Sequence, residues 1–349
     1  MDGFKLLIVF WAIFQPLFLL SQNIGDAIDY SRVDSHAINI KYKNDIHLLT
    51  RELTSAFPDE VSKSRAIFRW ITTNISYDYT FYNKYFYKGR LPTAYRCRND
   101  EKCKAKAMAW EIKYLNKVLH SGKAVCLGYS MLFKKMCALA GIKSEIITGY
   151  VRTEYTEVGT TGWSDHAWNA VWLDSVCYLL DATWASGSCT QNEDGKLLSF
   201  SKGFDEYYWL TSPIDFARNH FPREGRWVLI PNYTKENFAA NPYYSSNKLS
   251  NIKLITPNSG LITATLGDTI RFKLEYAGNI QRLQINSNMS RDPDLWKQQY
   301  IRYHRKGNVY EFTYVVQGKS LYYIDLIFDS ERVMRFKVQM EEYAIPEPN

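Results

Sequence analysis

Two strand-like runs, His166-Ala-Trp-Asn-Ala-Val-Trp-Leu173 and Val176-Cys-Tyr-Leu-Leu-Asp-Ala-Thr183, are separated only by Asp174-Ser175. Their β-branched and aromatic residues and the two-residue break predict an antiparallel hairpin. A two-residue turn sets residues whose numbers sum to 349 opposite one another, so His166 faces Thr183. Asp181 then shares the His166 face as its diagonal neighbour, about 7–8 Å away at the backbone. Any even loop length preserves that shared face, because side chains alternate with period two. A histidine and a carboxylate therefore meet at one end of an antiparallel sheet.

Upstream lies Gly122-Lys-Ala-Val-Cys126-Leu-Gly-Tyr-Ser-Met-Leu-Phe-Lys-Lys-Met-Cys-Ala-Leu-Ala-Gly141. Leu132, Phe133, Met136, Leu139 and Ala140 recur at helical spacing, and Gly141 stands where a glycine ends a helix. Cys126 falls at the start of that helix. There the unpaired N–H groups and the positive end of the dipole favour a thiolate. Taken singly, a helix-start cysteine is most often a small core residue. A strand histidine beside an aspartate is most often a structural pair, and Asp181 next to Thr183 can bond backbone instead. Together, Cys126, His166 and Asp181 supply nucleophile, base and orienting group for acyl transfer.

Gly-Lys-Ala-Val-Cys126-Leu-Gly-Tyr, Asp-His166-Ala-Trp-Asn-Ala-Val and Leu-Leu-Asp181-Ala-Thr-Trp-Ala-Ser-Gly resemble the three core motifs of the transglutaminase-like superfamily, and most closely its kyphoscoliosis-peptidase-like branch. Ile67-Phe-Arg-Trp-Ile-Thr-Thr-Asn-Ile-Ser-Tyr-Asp78 and Tyr208-Trp-Leu-Thr-Ser-Pro-Ile-Asp-Phe with His220-Phe-Pro extend the likeness over about residues 60–240. Leu127 stands where an acidic or polar residue is common, and Ala185 where glycine is common. The resemblance implies Cys126 as nucleophile, His166 as base and Asp181 as its orienter. It implies an α+β fold of papain/transglutaminase-like type, with the cysteine helix packed on an antiparallel sheet that carries His166 and Asp181. His220, Phe221 and Pro222 are read as a packed corner of that fold.

Around this core, a helix opened by Asp59 or Ser62 is expected to bury Val61, Ala66, Ile67, Trp70 and Ile71, and another runs from about Cys103 to Leu119. Tyr77 and Asp78 are read as structural. Lys143–Arg152 reads as a strand, and Thr153–Gly162 as a mobile rim beside the site. Residues 231–250 are polar and turn-rich, the best linker, and beyond them about seven short alternating runs predict an immunoglobulin-like β-sandwich. The domain reading is a signal peptide over 1–22, a transglutaminase-like domain over 23–245 and a sandwich over 250–341.

The apolar run Leu6–Leu20 is too short to span a membrane and reads as an export signal. The protein is therefore expected to be secreted or periplasmic, with no membrane span once the signal is removed. Cys97 and Cys103 can close a small disulfide loop in such a compartment, Cys137 reads as core, and Cys177 either pairs with Cys189 or is buried in a strand. No CxxC or HExxH spacing calls for a metal, and no cofactor is implied. The net charge of +7 is not concentrated in any Lys/Arg block, which argues against nucleic acid. The expected partner is a protein or peptide substrate, with the sandwich free to meet a cell-surface partner. The expected function is a cysteine protease, amidase or protein cross-linker working through a thioester; the alternative is a non-catalytic binding scaffold that keeps the fold.

Overall fold

The computed structural model describes residues 28–88, 100–291 and 299–341. The expected signal segment and Cys97 lie outside these residues. Cys103 is disulfide-bonded, whereas Cys126, Cys137, Cys177 and Cys189 are free, which removes the Cys177–Cys189 pairing.

Three helices come first, Ser31–Asn39, Ile46–Thr54 and Glu60–Asn74. Asp45 caps the second by accepting from the His47 and Leu48 N–H groups, and Asp59 caps the third through the Ser62 N–H. The third helix is buried nearly all round, Ser64, Arg65 and Thr72 included, so the expected apolar stripe is only one of its covered faces. Arg65 has only 1% of its surface exposed and is neutralised by a bidentate pair with Asp34 at 2.7 and 2.8 Å and by Glu206. This cluster ties the first helix and a distant loop to the same core.

Strand β1 (Ser76–Tyr77) then pairs in parallel with β2 (Lys123–Ala124), across the helices Tyr79–Lys84 and Asp100–Ser121. The next helix, Cys126–Leu139, buries Leu132, Phe133 and Met136 and ends in a Schellman motif. Ile142 N–H donates to the Cys137 carbonyl at 2.8 Å and Gly141 N–H to that of Ala138 at 3.2 Å. Gly141 has φ +77°, so the glycine supplies the left-handed residue the motif needs. This helix packs on β3 (Ser144–Val151) and β4 (His166–Leu173). Strand β5 (Val176–Leu180) completes the hairpin, with Leu173 opposite Val176 and Asn169 opposite Leu180, as the sequence arithmetic requires. Asp174 and Ser175 both have positive φ, +48° and +68°, giving the type I′ turn that suits the twist of a two-residue hairpin.

A second hairpin joins β6 (Gly187–Gln191) to β7 (Leu197–Lys202). Strand β8 (His220–Pro222) returns to β3, so the central sheet has the antiparallel order β5-β4-β3-β8. Residues 231–250, expected as a linker, instead pack: helix Lys235–Ala239 buries Phe238, and β9 (Tyr243–Tyr244) joins a sheet of the C-terminal unit.

That unit comprises β10 (Ile252–Thr256), β11 (Leu261–Ala264), β12 (Thr269–Tyr276), β13 (Leu283–Ser287), β14 (Gln299–Tyr300), β15 (His304–Lys306), β16 (Val309–Val315), β17 (Tyr323–Phe328) and β18 (Glu331–Met340). One sheet has the order β10-β12-β16-β15 and the other β11-β18-β17-β13-β14, with β9 also on β18. Ile270, Phe272 and Leu274 alternate inward from the first and share one core with Ile324, Leu326 and Phe336 of the second. Two sheets therefore enclose one apolar layer.

Gly149 sits in β3 between its two neighbours, opposite His166 on one side and Pro222 on the other. A Cβ there would overlap the Phe221 carbonyl oxygen and the Trp168 ring. Gly149→Ala is expected to cost about 1–3 kcal/mol in urea denaturation. Gly203→Ala, where a Cβ meets nothing within 4 Å, should change stability by no more than about 0.5 kcal/mol.

Candidate active site

Cys126 is the first residue of its helix, and the preceding Val125 provides no side-chain cap. The first N–H groups of the helix consequently have no side-chain acceptor at this end. The helix is held close to its surroundings by the residues that follow. Gly128 lies where a Cβ would overlap Ala124 and the Tyr114 hydroxyl, so its glycine admits the neighbouring helix. The Tyr129 hydroxyl donates to the Ile75 carbonyl at 2.9 Å and accepts from Ser186 Oγ at 3.2 Å. Asn169 in β4 donates to the Ser130 carbonyl at 3.1 Å and to that of Glu145 at 3.3 Å. The amide thus pins the helix against the sheet.

At the start of β4, His166 is only 8% exposed, and its ring lies 5.5 Å from that of Trp184 and 6.1 Å from that of Trp168. Its Nε2 donates to Asp181 Oδ2 at 2.6 Å. The Cys126 side chain acts on the same imidazole electrostatically and favours its charged form. Cys126 Sγ also lies 3.9 Å from the carbonyl oxygen of Asp165, the residue before the histidine. The structure therefore brings His166 and Asp181 into direct contact and sets Cys126 against the backbone at the start of the same strand.

Asp181 is fully buried one residue beyond β5. Its Oδ1 accepts from the N–H groups of Thr183 at 2.7 Å and Trp184 at 3.2 Å. Its two oxygens have different partners. Oδ1 holds the turn into Trp184–Ser186, while Oδ2 holds His166. His220 also reaches Oδ2, through Nε2 at 3.1 Å, and is not merely the apolar corner its Phe-Pro neighbours suggest. The sequence hides it because the partner is 39 residues away and β8 is too short to show alternation.

Burial alone would lower the His166 pKa, but the Asp181 carboxylate and the Cys126 side chain outweigh it and push the imidazole up to about 10. Burial would raise Asp181; the two histidines instead hold it well below the carboxylate range. Burial dominates at His220, pushing it down to about 4 despite Asp181. His166 is thus the charged imidazole at neutral pH and His220 the neutral one. Each of His166, Asp181 and His220 offers one atom within 4.8 Å of the others, an arrangement that can hold a metal ion. Those atoms are already engaged in the direct hydrogen bonds at 2.6 and 3.1 Å.

The rim is pinned rather than loose. Arg152, 4% exposed, donates to the carbonyls of Thr160 and Phe238 at 3.0 Å, of Ala239 at 3.1 Å, and of Asn241. The guanidinium groups of Arg332 and Arg335 both lie 4.2 Å from the Tyr155 ring, and Asp325 anchors both arginines. Trp163 projects, 86% exposed, three residues before His166. Below the rim, burial raises Tyr77 well above the usual phenol range, reinforced by Cys126, so a neutral hydroxyl stands near the thiol. Asp78, by contrast, caps the helix Tyr79–Lys84.

Residues 93–185 match the profile of the Transglutaminase-like superfamily, a span that holds all three side chains. This stretch of the chain resembles a transglutaminase-like domain. The chain is 29% identical over 224 residues to human kyphoscoliosis peptidase and 28% over 220 residues to the mouse protein. These alignments cover 63% and 62% of this chain but only 30% and 29% of those relatives. A solved structure of a TGase is 16% identical and overlaps at a TM-score of 0.28, over 47% of this chain and 35% of its own. Among the described residues, no helix is long and apolar enough to cross a membrane.

The pKa shifts give the buried pair a pH signature. His166 is raised, so its stabilising share is complete below the ordinary 6.5 and is lost as pH climbs through about 10. Asp181 is depressed, so its share is present above 3.8 and lost as pH falls. Asp181→Asn leaves buried donors facing an amide and should cost about 3–5 kcal/mol at pH 6.5. In urea denaturation at pH 6.5, 8 and 10, that gap should narrow steadily; a gap independent of pH contradicts the assignment.

Proposed function

We propose that this protein is a thiol-dependent acyl-transfer enzyme, with Cys126 as nucleophile, His166 as acid–base and Asp181 as orienter. The observation that carries the reading is His166 itself, bound by Nε2 to Asp181 at 2.6 Å, with Cys126 Sγ 3.9 Å from the carbonyl oxygen of the residue before it. With the proton already held on His166 as imidazolium, Cys126 attacks as the thiolate of that ion pair on the carbonyl carbon of a peptide bond or a glutamine side-chain amide. The N–H groups at the helix start, which no side chain caps, are the donors proposed for the oxyanion. The carbon–nitrogen bond then breaks, His166 delivers its proton to the leaving amine, and a thioester remains on Cys126. Water returns a carboxylic acid; a lysine amine forms a new amide and cross-links two chains.

The same reading extends to the rest of the chain. The apolar run Leu6–Leu20 supports export. The strand order of the C-terminal sheets, with β11 parallel to β18, supports an immunoglobulin-like sandwich that meets a partner at the cell surface.

The test incubates the full chain with casein and a fluorescent primary amine, following peptide cleavage, ammonia release and amine incorporation together. At least one should proceed, and Cys126→Ala and His166→Ala should each lower it by about 10³-fold or more. A protein inert in all three assays, or one whose activity survives Cys126→Ala, contradicts the proposal and favours a binding scaffold.

A further inference from the structure

We infer that His220 is a positioning residue of this site, whose Nε2–H fixes Asp181 Oδ2 in the direction that holds His166 toward Cys126. The inference rests on the proposed thiol chemistry and adds a fourth side chain to it. Without His220, the two backbone N–H groups would pin only Oδ1, and the carboxylate could pivot about that oxygen. His220 reaches Oδ2 from β8, two strands away from β4, so imidazoles from two separate strands grip the same carboxylate. A carboxylate that accepts from four N–H groups also stays ionised and keeps its charge for the imidazolium.

His220 is itself built to donate. It has only 1% of its surface exposed, and its Nδ1 lies 2.6 Å from Asn219 Oδ1, while Asn219 Nδ2 lies 3.2 Å from the Tyr208 hydroxyl. A neutral His220 that donates through Nε2 must accept at Nδ1. This requires the Asn219 amide turned over from that placement, an exchange of two atoms of nearly equal size, so that its NH₂ donates to Nδ1 and its oxygen accepts from the Tyr208 hydroxyl. Tyr208 is fully buried and burial keeps its hydroxyl protonated, so that donor is always available. The Tyr208–Asn219–His220 series thereby selects one tautomer. The competing role is packing, since the His220 ring lies 4.2 Å from that of Phe216, 4.6 Å from Trp184 and 5.1 Å from Trp168.

The two roles separate in substitutions that keep the volume but change the N–H. Iodoacetamide alkylation of Cys126 in the full chain at pH 7, read by peptide mapping, is the probe, with circular dichroism as the check on folding. His220→Phe should slow alkylation about ten-fold, the scale on which outer partners of a functional histidine act. His220→Gln, which returns an amide N–H near the Nε2 position, should recover the rate to within about three-fold of wild type. Folded Phe and Gln variants that both react at the wild-type rate, or that are slowed equally, overturn the inference. If His220→Phe does not fold, Asn219→Leu leaves the ring in place and removes what selects its tautomer. It should slow alkylation at least about three-fold, and an unchanged rate is equally decisive against the proposal. Failure of the parent reading looks different: wild-type Cys126 then reacts no faster than it does in His166→Ala, whatever stands at 220.

Discussion

A carboxylate with no exposed surface dictates the centre of this structure. Moving an ion of that size out of water costs several kcal/mol even after relaxation, unless its lone pairs are taken up by well-placed donors. Asp181 finds four, two from the backbone immediately after it and two from imidazoles on other strands. The backbone pair requires the chain to turn sharply after β5. The imidazole pair requires β4 and β8 to flank β3. The fold of the central sheet and the geometry of the thiol site are therefore two consequences of satisfying one charge.

The cysteine helix must then be set against the sheet to within a fraction of an ångström, and small or polar residues do this. Asn169 bonds helix to strand, Tyr129 and Ser186 bond the helix to the turn after Asp181, and Gly128 removes the side chain that would hold a neighbouring helix away. These residues lie inside the three motifs and carry no chemistry of their own. Second-layer support of this kind is what keeps a constellation productive. The C-terminal unit contributes as well. Asp325 aligns Arg332 and Arg335 beneath Tyr155, and the rim that leads into His166 rests on that platform.

Much of the site was legible because it is local. Asp174 and Ser175 permit a two-residue turn that fixes the register from Leu173–Val176 to Asn169–Leu180. The chain leaves the ladder there, so the His166–Thr183 pairing expected from the arithmetic does not form, and Asp181 meets His166 from just beyond the strand. Gly141 announces the end of the cysteine helix by a conformation that few other residues adopt. Contacts made across long stretches of chain were not legible. His220 carries no periodic signal, and only its pairing with Val151 brings it under Asp181. The segment 153–162 has the polar composition of a free loop, yet Arg152 and the distant arginines hold it in place. Residues 231–250 read as a linker for the same reason: their turn residues are visible, whereas the burial of Phe238 and the pairing of Tyr243–Tyr244 with β18 depend on the whole fold.

The central claim is that Cys126 becomes covalently acylated with His166 as its acid–base partner. Acid quenching during reaction with p-nitrophenyl acetate, followed by intact-mass analysis and peptide mapping, tests it most directly. The account predicts one acetyl group on Cys126, removable by neutral hydroxylamine as a thioester is, and strongly reduced in His166→Ala. An adduct on Cys137, Cys177 or Cys189, or one on Cys126 that forms equally fast without His166, would contradict it.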